Sequence, residues 1–298
     1  MNKLMTSAGQ IDFNIADLPA MPEPQRVLMV EPTYYNVDYV INPHMIGQVG
    51  TVKRERAQKE WEQLASSFQK IGLEVIKLAG VPGLPDMVFS ANQSLPFLDK
   101  NDRRKVIMSI MHTRQRAREV GHIEKWYHKN GYDVFHLNPD NIEDFEGMGD
   151  AIWHFKRKLI WGGYGFRTSR YAYEQISEIF DVPVILLPLK DERFYHLDTC
   201  FCSLDENNAL IYPPAFDESG LEMIYKVYEN VIEAPAEEAI GLFAVNATCP
   251  DGKNVLIQKG CTEVARKLNE HGFIVHEMDT REFLKSGGSV YCMKMLLW

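Results

Sequence analysis

LASSFQKIGLEVIKL (residues 64–78) places an amphipathic run, a glycine and a short β-rich run in immediate succession. Leu64, Ala65, Phe68 and Ile71 recur at helical spacing, so the stretch from Lys53 to Gly72 predicts a helix with one apolar face. Gly72 supplies its stop, and LEVIKL (73–78) predicts a strand. The same order returns as IEKWYHKNGYDVFHL (123–137) and again as VARKLNEHGFIVHEM (264–278). Three copies of helix, glycine and strand predict several similar β/α modules in one domain.

Outside these copies, short β-rich runs alternate with helical patterns. RVLMVEP (26–32), KVIMSIM (105–111), KLIWGGYGF (158–166), VPVILLPL (182–189), FYHLDTCFCSL (194–204), ALIYPPA (209–215), NVLIQKG (254–260) and SVYCMKML (289–296) read as strands. A strand is also expected from Met87 in PDMVFSANQS (85–94). No linker rich in Pro, Gly or Ser divides the middle of the chain. The reading is therefore an N-terminal extension, residues 1–25, followed by one α/β domain over residues 26–298.

Composition narrows the function classes. A chain of 298 residues carrying a net charge of −9 lacks the basic balance of a nucleic-acid binder. The longest apolar runs are too short to cross a bilayer, and the first residues lack the apolar core of a secretory signal. Five irregularly spaced cysteines fit a reducing compartment better than a disulfide framework, so a cytoplasmic setting is expected.

Several stretches carry polar residues that a core strand does not need. On a strand through FYHLDTCFCSL, His196, Asp198, Cys200 and Cys202 would share one face. Read alone, they fit either a buried, satisfied pair with core thiols or a catalytic base with its carboxylate. FEGMGDA (145–151) brackets two glycines with Glu146 and Asp150, and alone fits a turn with solvated acids. Asp86 and Asn92 in PDMVFSAN fit turn caps. WGGYGFRTS (161–169) lacks the lysine and third glycine of phosphate loops but offers Arg167 as a carboxylate clamp. KSGGSVYC (285–292) ends on Cys292, a core residue or a nucleophile.

Together, in this order, these five motifs resemble the guanidino-group-modifying enzyme superfamily: arginine deiminases, dimethylarginine dimethylaminohydrolases, amidinotransferases and arginine dihydrolases. With YYNVDYVINPHM (34–45), the likeness is closest to the arginine dihydrolase subgroup, and it covers all but roughly the first 25 residues. The resemblance implies a five-bladed α/β propeller (pentein) of ββαβ-like modules around a pseudo-fivefold axis. It implies Cys292 as nucleophile, His196 as general acid and base, and Glu146 as the carboxylate that orients and charges that histidine. Asp198, Asn92, Arg167 and Asn42 are implied as substrate-binding residues. No metal or organic cofactor is expected. The implied partner is a small guanidino molecule, with neither nucleic acid nor membrane, and with self-association into a homo-oligomer allowed.

The implied reaction is hydrolysis of arginine through a covalent thiouronium to ornithine, ammonia and carbon dioxide. Amidino transfer, or hydrolysis of a substituted guanidine without the usual α-carboxylate, are the alternatives. Asn92 stands where deiminases carry an aspartate; an amide can donate an N–H to the ureido oxygen of citrulline, where a carboxylate cannot. In VIMSIMHTRQRA (106–117), Ile110 stands where the family commonly has an arginine for the substrate's carboxylate, with Arg114 or Arg116 as candidates to replace that cation.

Overall fold

The computed structural model describes residues 3–298. Its helices and strands follow from the patterns above. In the helix Arg54–Lys70, the buried face is made by Ala57, Trp61, Leu64, Ala65 and Phe68, the spacing of an amphipathic helix on a core. Gly72 then takes φ +96°, and the N–H of Leu73 returns to the carbonyl of Phe68 at 3.0 Å. This 6→1 bond is the Schellman closure, which needs a left-handed residue. Gly131 and Gly272 close the helices Arg114–Lys129 and Thr262–Glu270 in the same way. Tyr132 bonds back to Tyr127, and Phe273 to Leu268. After Ala172–Phe180 the left-handed position is held by Asp181, φ 57°, with Val182 bonding back to Ser177.

Among the described residues the strands form five small sheets with one recurring plan. A middle strand runs antiparallel to one neighbour and, after a helix, parallel to the other. In the first, Arg26–Val30 lies between Met295–Leu297 and Glu74–Leu78. In the second, Arg104–Met108 lies between Ser94–Leu98 and Asp133–Phe135. In the third, Ile160–Tyr164 lies between Ala151–Trp153 and Val184–Pro188. In the fourth, Asn208–Ile211 lies between Phe201–Ser203 and Asn230–Glu233. In the fifth, Asn254–Gln258 pairs in parallel with Ile274–Met278, and a single antiparallel bridge, Thr248 to Leu256, replaces the third strand. The antiparallel strands Ser94–Leu98, Ala151–Trp153 and Met295–Leu297 are buried throughout. Pro96 is tolerated because its strand has a ladder on one side only.

Neighbouring sheets lock through aromatic side chains. Phe97 of the second stacks on Trp153 of the third with ring centroids 5.1 Å apart. Trp161 of the third packs on Phe201 of the fourth at 5.0 Å. Each such pair contributes about 0.5–1.5 kcal/mol beyond the area it buries. The N-terminal segment also joins this framework. Leu4–Met5 pairs in parallel with Val184 and Ile185, and Met5, Ile11, Leu18 and Met21 are buried. No described helix is long and apolar enough to cross a membrane.

Three expected strands are corrected. FYHLDTCFCSL is a strand only over Phe201–Ser203; before it lie the 3₁₀ turns Glu192–Phe194 and Leu197–Thr199. Local bonds win over the ladder there: the Thr199 hydroxyl and N–H both donate to the His196 carbonyl, at 2.6 and 3.2 Å. PDMVFSAN forms the 3₁₀ turns Pro85–Val88 and Ser90–Asn92, opened by proline, so its strand starts at Ser94 rather than Met87. In SVYCMKML only Met295–Leu297 is strand, and Cys292 lies in the preceding turn.

Candidate active site

The recurring plan brings polar residues together. Immediately before the antiparallel strand of each module the chain turns, and each turn carries at least one buried polar side chain. Asn92 precedes Ser94–Leu98; Glu146 and Asp150 precede Ala151–Trp153; His196 and Asp198 precede Phe201–Ser203. Asn246 precedes the bridge at Thr248, and Cys292 precedes Met295–Leu297. All seven side chains are at most 3% exposed.

Cys292 is seated by Asn246 and Asp198. The Asn246 amide donates to the Cys292 sulfur at 3.2 Å and to the Asp198 carbonyl at 2.9 Å. Its oxygen accepts from the N–H groups of Ser289 and Cys292, at 2.9 and 3.4 Å. The thiol donates to Asp198 Oδ2 at 3.3 Å, while Asp198 Oδ1 is buried without a partner. Burial, then the charge and hydrogen bond of Asp198, push the Cys292 thiol well above its usual range, against the opposing pull of Asn246. The resting group is therefore a thiol. Burial pushes Asp198 up to about 7. Behind it, burial lowers Lys294 to about 7, where its ammonium lies 3.2 Å from the Tyr291 ring centroid.

His196 is held from both sides. Its Nε2 lies 2.7 Å from Glu146 Oε2, and its Nδ1 lies 3.4 Å from the Asn92 amide nitrogen. Glu146 also accepts from the N–H of His112 at 3.0 Å and from Arg167 at 3.4 Å. Burial by itself would raise Glu146, but the hydrogen bond and charge of His196, with Arg167 and Arg116, outweigh it and hold the carboxyl at about 2. Asp150 braces the same loop, accepting from the N–H of Leu197 at 3.0 Å and from the Thr168 hydroxyl at 2.7 Å. Gly149 is required by proximity: a Cβ there would fall 2.3 Å from the Asn92 amide nitrogen.

Cys292, Asn92, Arg167 and Asn42 share the wall of one cavity. Asp198, His196 and Glu146 each contact one of those lining residues. Arg167 donates to the Ile41 carbonyl at 2.6 Å and lies over the Tyr195 ring, centroid distance 4.8 Å. Asn42 caps a short turn with its oxygen and donates to the Ser286 carbonyl at 2.9 Å. Ile110 stands outside the cavity wall, exchanging backbone bonds with Phe145.

Neither replacement cation behaves as the sequence suggested. Arg114 is exposed on the first turn of its helix. Arg116 lines the cavity, but its guanidinium is bound to Asn92, Glu119 and the carbonyls of Asp86 and Phe89. Sequence reasoning missed Asn246, a lone amide in AVNATCP (244–250) that no motif of the sequence marks; the structure places it just before the fifth module's bridge. It also took Asp86 for a turn cap. That carboxylate lines the cavity, accepts from the Tyr39 hydroxyl at 2.7 Å and keeps a buried oxygen without a partner. Among the described residues no group of His, Cys, Asp and Glu side chains is disposed to hold a metal ion.

The arrangement pairs a thiol with a carboxylate and a histidine with another carboxylate around one small cavity. The family described as N,N dimethylarginine dimethylhydrolase, eukaryotic, matches residues 37–297. A bifunctional arginine dihydrolase/ornithine cyclodeaminase from Synechocystis sp. is 38% identical over 92% of this chain, which spans only 38% of that relative. The N(G),N(G)-dimethylarginine dimethylaminohydrolase of Mycobacterium tuberculosis is 33% identical, with 91% of this chain and 85% of the relative covered. A substrate-bound crystal structure of the N-terminal domain of a cyanobacterial arginine dihydrolase superposes with a TM-score of 0.85 at 36% identity. It covers 91% of this chain and 97% of that domain.

Proposed function

The chain belongs to the N,N-dimethylarginine dimethylhydrolase family, and from that premise we propose that it hydrolyses arginine through a covalent adduct on Cys292. One arginine and two waters give ornithine, two ammonia and carbon dioxide. The observation that carries this reading is the convergence of Cys292, Asn92 and Arg167 on one cavity, with Asp198 at 3.3 Å from the sulfur and the His196–Glu146 pair directly behind Asn92.

A guanidinium carbon is a weak electrophile because its charge is spread over three nitrogens. The partnerless Asp198 oxygen is the acceptor such a cation would meet. A cation beside the sulfur favours thiolate over thiol, offsetting the burial that keeps the resting group neutral. The thiol releases its proton to solvent as the substrate's cation binds, the thiolate bonds to the guanidinium carbon, His196 gives a proton to the departing amine, and ammonia leaves a thiouronium. Water, losing its proton to His196, attacks that carbon; the C–S bond breaks and citrulline forms. Glu146 acts by keeping His196 oriented.

The second round needs a different electrostatic setting. Attack on citrulline moves an electron pair onto the ureido oxygen, and Asn92 can meet that oxygen with an N–H. Loss of the second ammonia leaves a thiocarbamate. Hydrolysis gives the carbamate of ornithine, which sheds carbon dioxide. The same reading makes the five sheets the blades of an α/β propeller about a pseudo-fivefold axis. Residues 26–298 are then its catalytic domain and 1–25 an extension fastened to the third blade. The supporting pattern is that every proposed catalytic residue precedes an antiparallel strand.

The test is product analysis. Purified protein is incubated separately with arginine and with N,N-dimethylarginine, and ornithine, citrulline, amines and ammonia are followed over time. Arginine should give ornithine and ammonia at about 1:2, acid-quenched protein should carry an adduct on Cys292, and Cys292→Ala should be inactive. Citrulline as the stable end product, or full activity in Cys292→Ala, would refute the reading.

A further inference from the structure

We propose that Arg116 is a positioning residue that fixes Asn92 as a hydrogen-bond donor toward the reacting carbon, and thereby decides whether hydrolysis stops at citrulline or runs on to ornithine; this rests on the dihydrolase reading above. An asparagine side chain can present either its oxygen or its nitrogen to a substrate, because a half-turn exchanges them. Here the choice is made by a partner. Arg116 Nη1 lies 2.8 Å from Asn92 Oδ1. A guanidinium carries donors only, so the oxygen of the amide must face it. The Asn92 nitrogen is left on the other side, 3.4 Å from His196 Nδ1. Turning the amide over would set N–H against N–H in a buried site, leaving both unpaired.

Arg116 is itself held so that it cannot follow a turning amide. It is 4% exposed. Its Nη2 donates to the carbonyls of Asp86 and Phe89 at 3.1 and 3.2 Å, and to Glu119 at 2.9 Å. Its Nε reaches both Glu119 oxygens at 3.2 Å. Glu119 in turn accepts from Gln93, the residue after Asn92, at 2.7 Å. Asn92, Arg116, Glu119 and Gln93 thus close a ring that ties the amide's orientation to its own backbone.

The consequence is selective for the second round. The first round attacks a guanidinium and needs acceptors, which Asp198 supplies. The second develops negative charge on the ureido oxygen and needs a donor. An amide released from Arg116 would present its oxygen in part of the population and repel that charge. Loss of the ring therefore raises the proportion of citrulline released.

The experiment measures the citrulline-to-ornithine ratio from arginine for wild type, Arg116→Gln, Arg116→Lys and Glu119→Gln. This ratio does not depend on the fraction of folded enzyme. Arg116→Gln should raise it at least about tenfold. Arg116→Lys, which still offers donors only, should stay near wild type, and Glu119→Gln should raise it less than Arg116→Gln does. If Arg116→Gln does not fold, the other two variants decide the matter in the same way. Ornithine from wild type with an unchanged ratio in every folded Gln variant would overturn the role of Arg116 and leave the dihydrolase reading standing. Citrulline as the wild-type end product would remove that reading, and the proposal with it.

Discussion

Replacing Glu146 by glutamine removes one charge from the buried pair with His196 while keeping the side chain's size. An ordinary glutamate titrates at 4.5, and Glu146 is held at about 2. That difference of roughly two and a half units is worth about 3 kcal/mol of preference for the ionised carboxylate. The folded-state value is depressed, so this stabilisation is present above about pH 4.5 and is lost as pH falls toward about 2. Glu146→Gln should therefore unfold about 3 kcal/mol more easily near neutral pH, and the deficit should shrink as pH falls from about 4.5 toward about 2. Glu146 also holds the His196 ring, 2.7 Å from Nε2, in the orientation from which the proposed mechanism passes a proton to the leaving amine. Turnover should fall by roughly two orders of magnitude, within the usual range for general acid–base catalysis. Ammonia release from arginine gives kcat, and urea titrations at several pH values give stability. A kcat within about fivefold of wild type, or a stability deficit that does not narrow on acidification, would refute the reasoning.

Two further substitutions probe the seat of the thiol and the crowding beside the histidine. Asn246→Ala removes the N–H that contacts the Cys292 sulfur at 3.2 Å, an interaction that opposes the upward shift of the thiol. At about 0.5–1.5 kcal/mol for such a bond, alkylation by iodoacetamide should slow a few-fold to about tenfold, and its pH profile should move upward; an unchanged profile would show that the bond does not tune the sulfur. Gly149→Ala would force a Cβ to 2.3 Å from the Asn92 nitrogen and 3.3 Å from the His196 ring. A destabilisation of about 1–3 kcal/mol in thermal melts and a loss of turnover are expected, and wild-type values for both would sink the packing argument.

Helix stops explain how much of the fold could be read from the sequence. Three modules were visible because Gly72, Gly131 and Gly272 all take positive φ at their helix ends. The module closed by Asp181 uses the same backbone geometry with a residue that does not announce it. The helix Glu218–Val227 ends at Tyr228, φ −96°, with no left-handed residue at all. Strand periodicity failed around His196 because a threonine hydroxyl captured the local carbonyl, which residue alternation does not encode. His196 and Asp198 nevertheless reach one site because successive turns, rather than one strand face, aim them there. Asn246, and the link from Arg116 to Asn92, escaped notice for a related reason. Their roles lie in partners distant in sequence, Asn246 with Cys292 and Arg116 with Asn92.

The pairing of Met295–Leu297 with Arg26–Val30 also has a kinetic meaning. Closing it joins segments separated by almost the whole described chain, and contacts of such separation form late because the entropy of a long loop must be overcome first. Cys292 lies three residues before this strand, in the turn that the pairing anchors. Placement of Cys292 therefore coincides with completion of the first sheet. The other sheets close over shorter loops and can form first, but Cys292 reaches its place beside Asp198 and Asn246 only when these two distant strands pair.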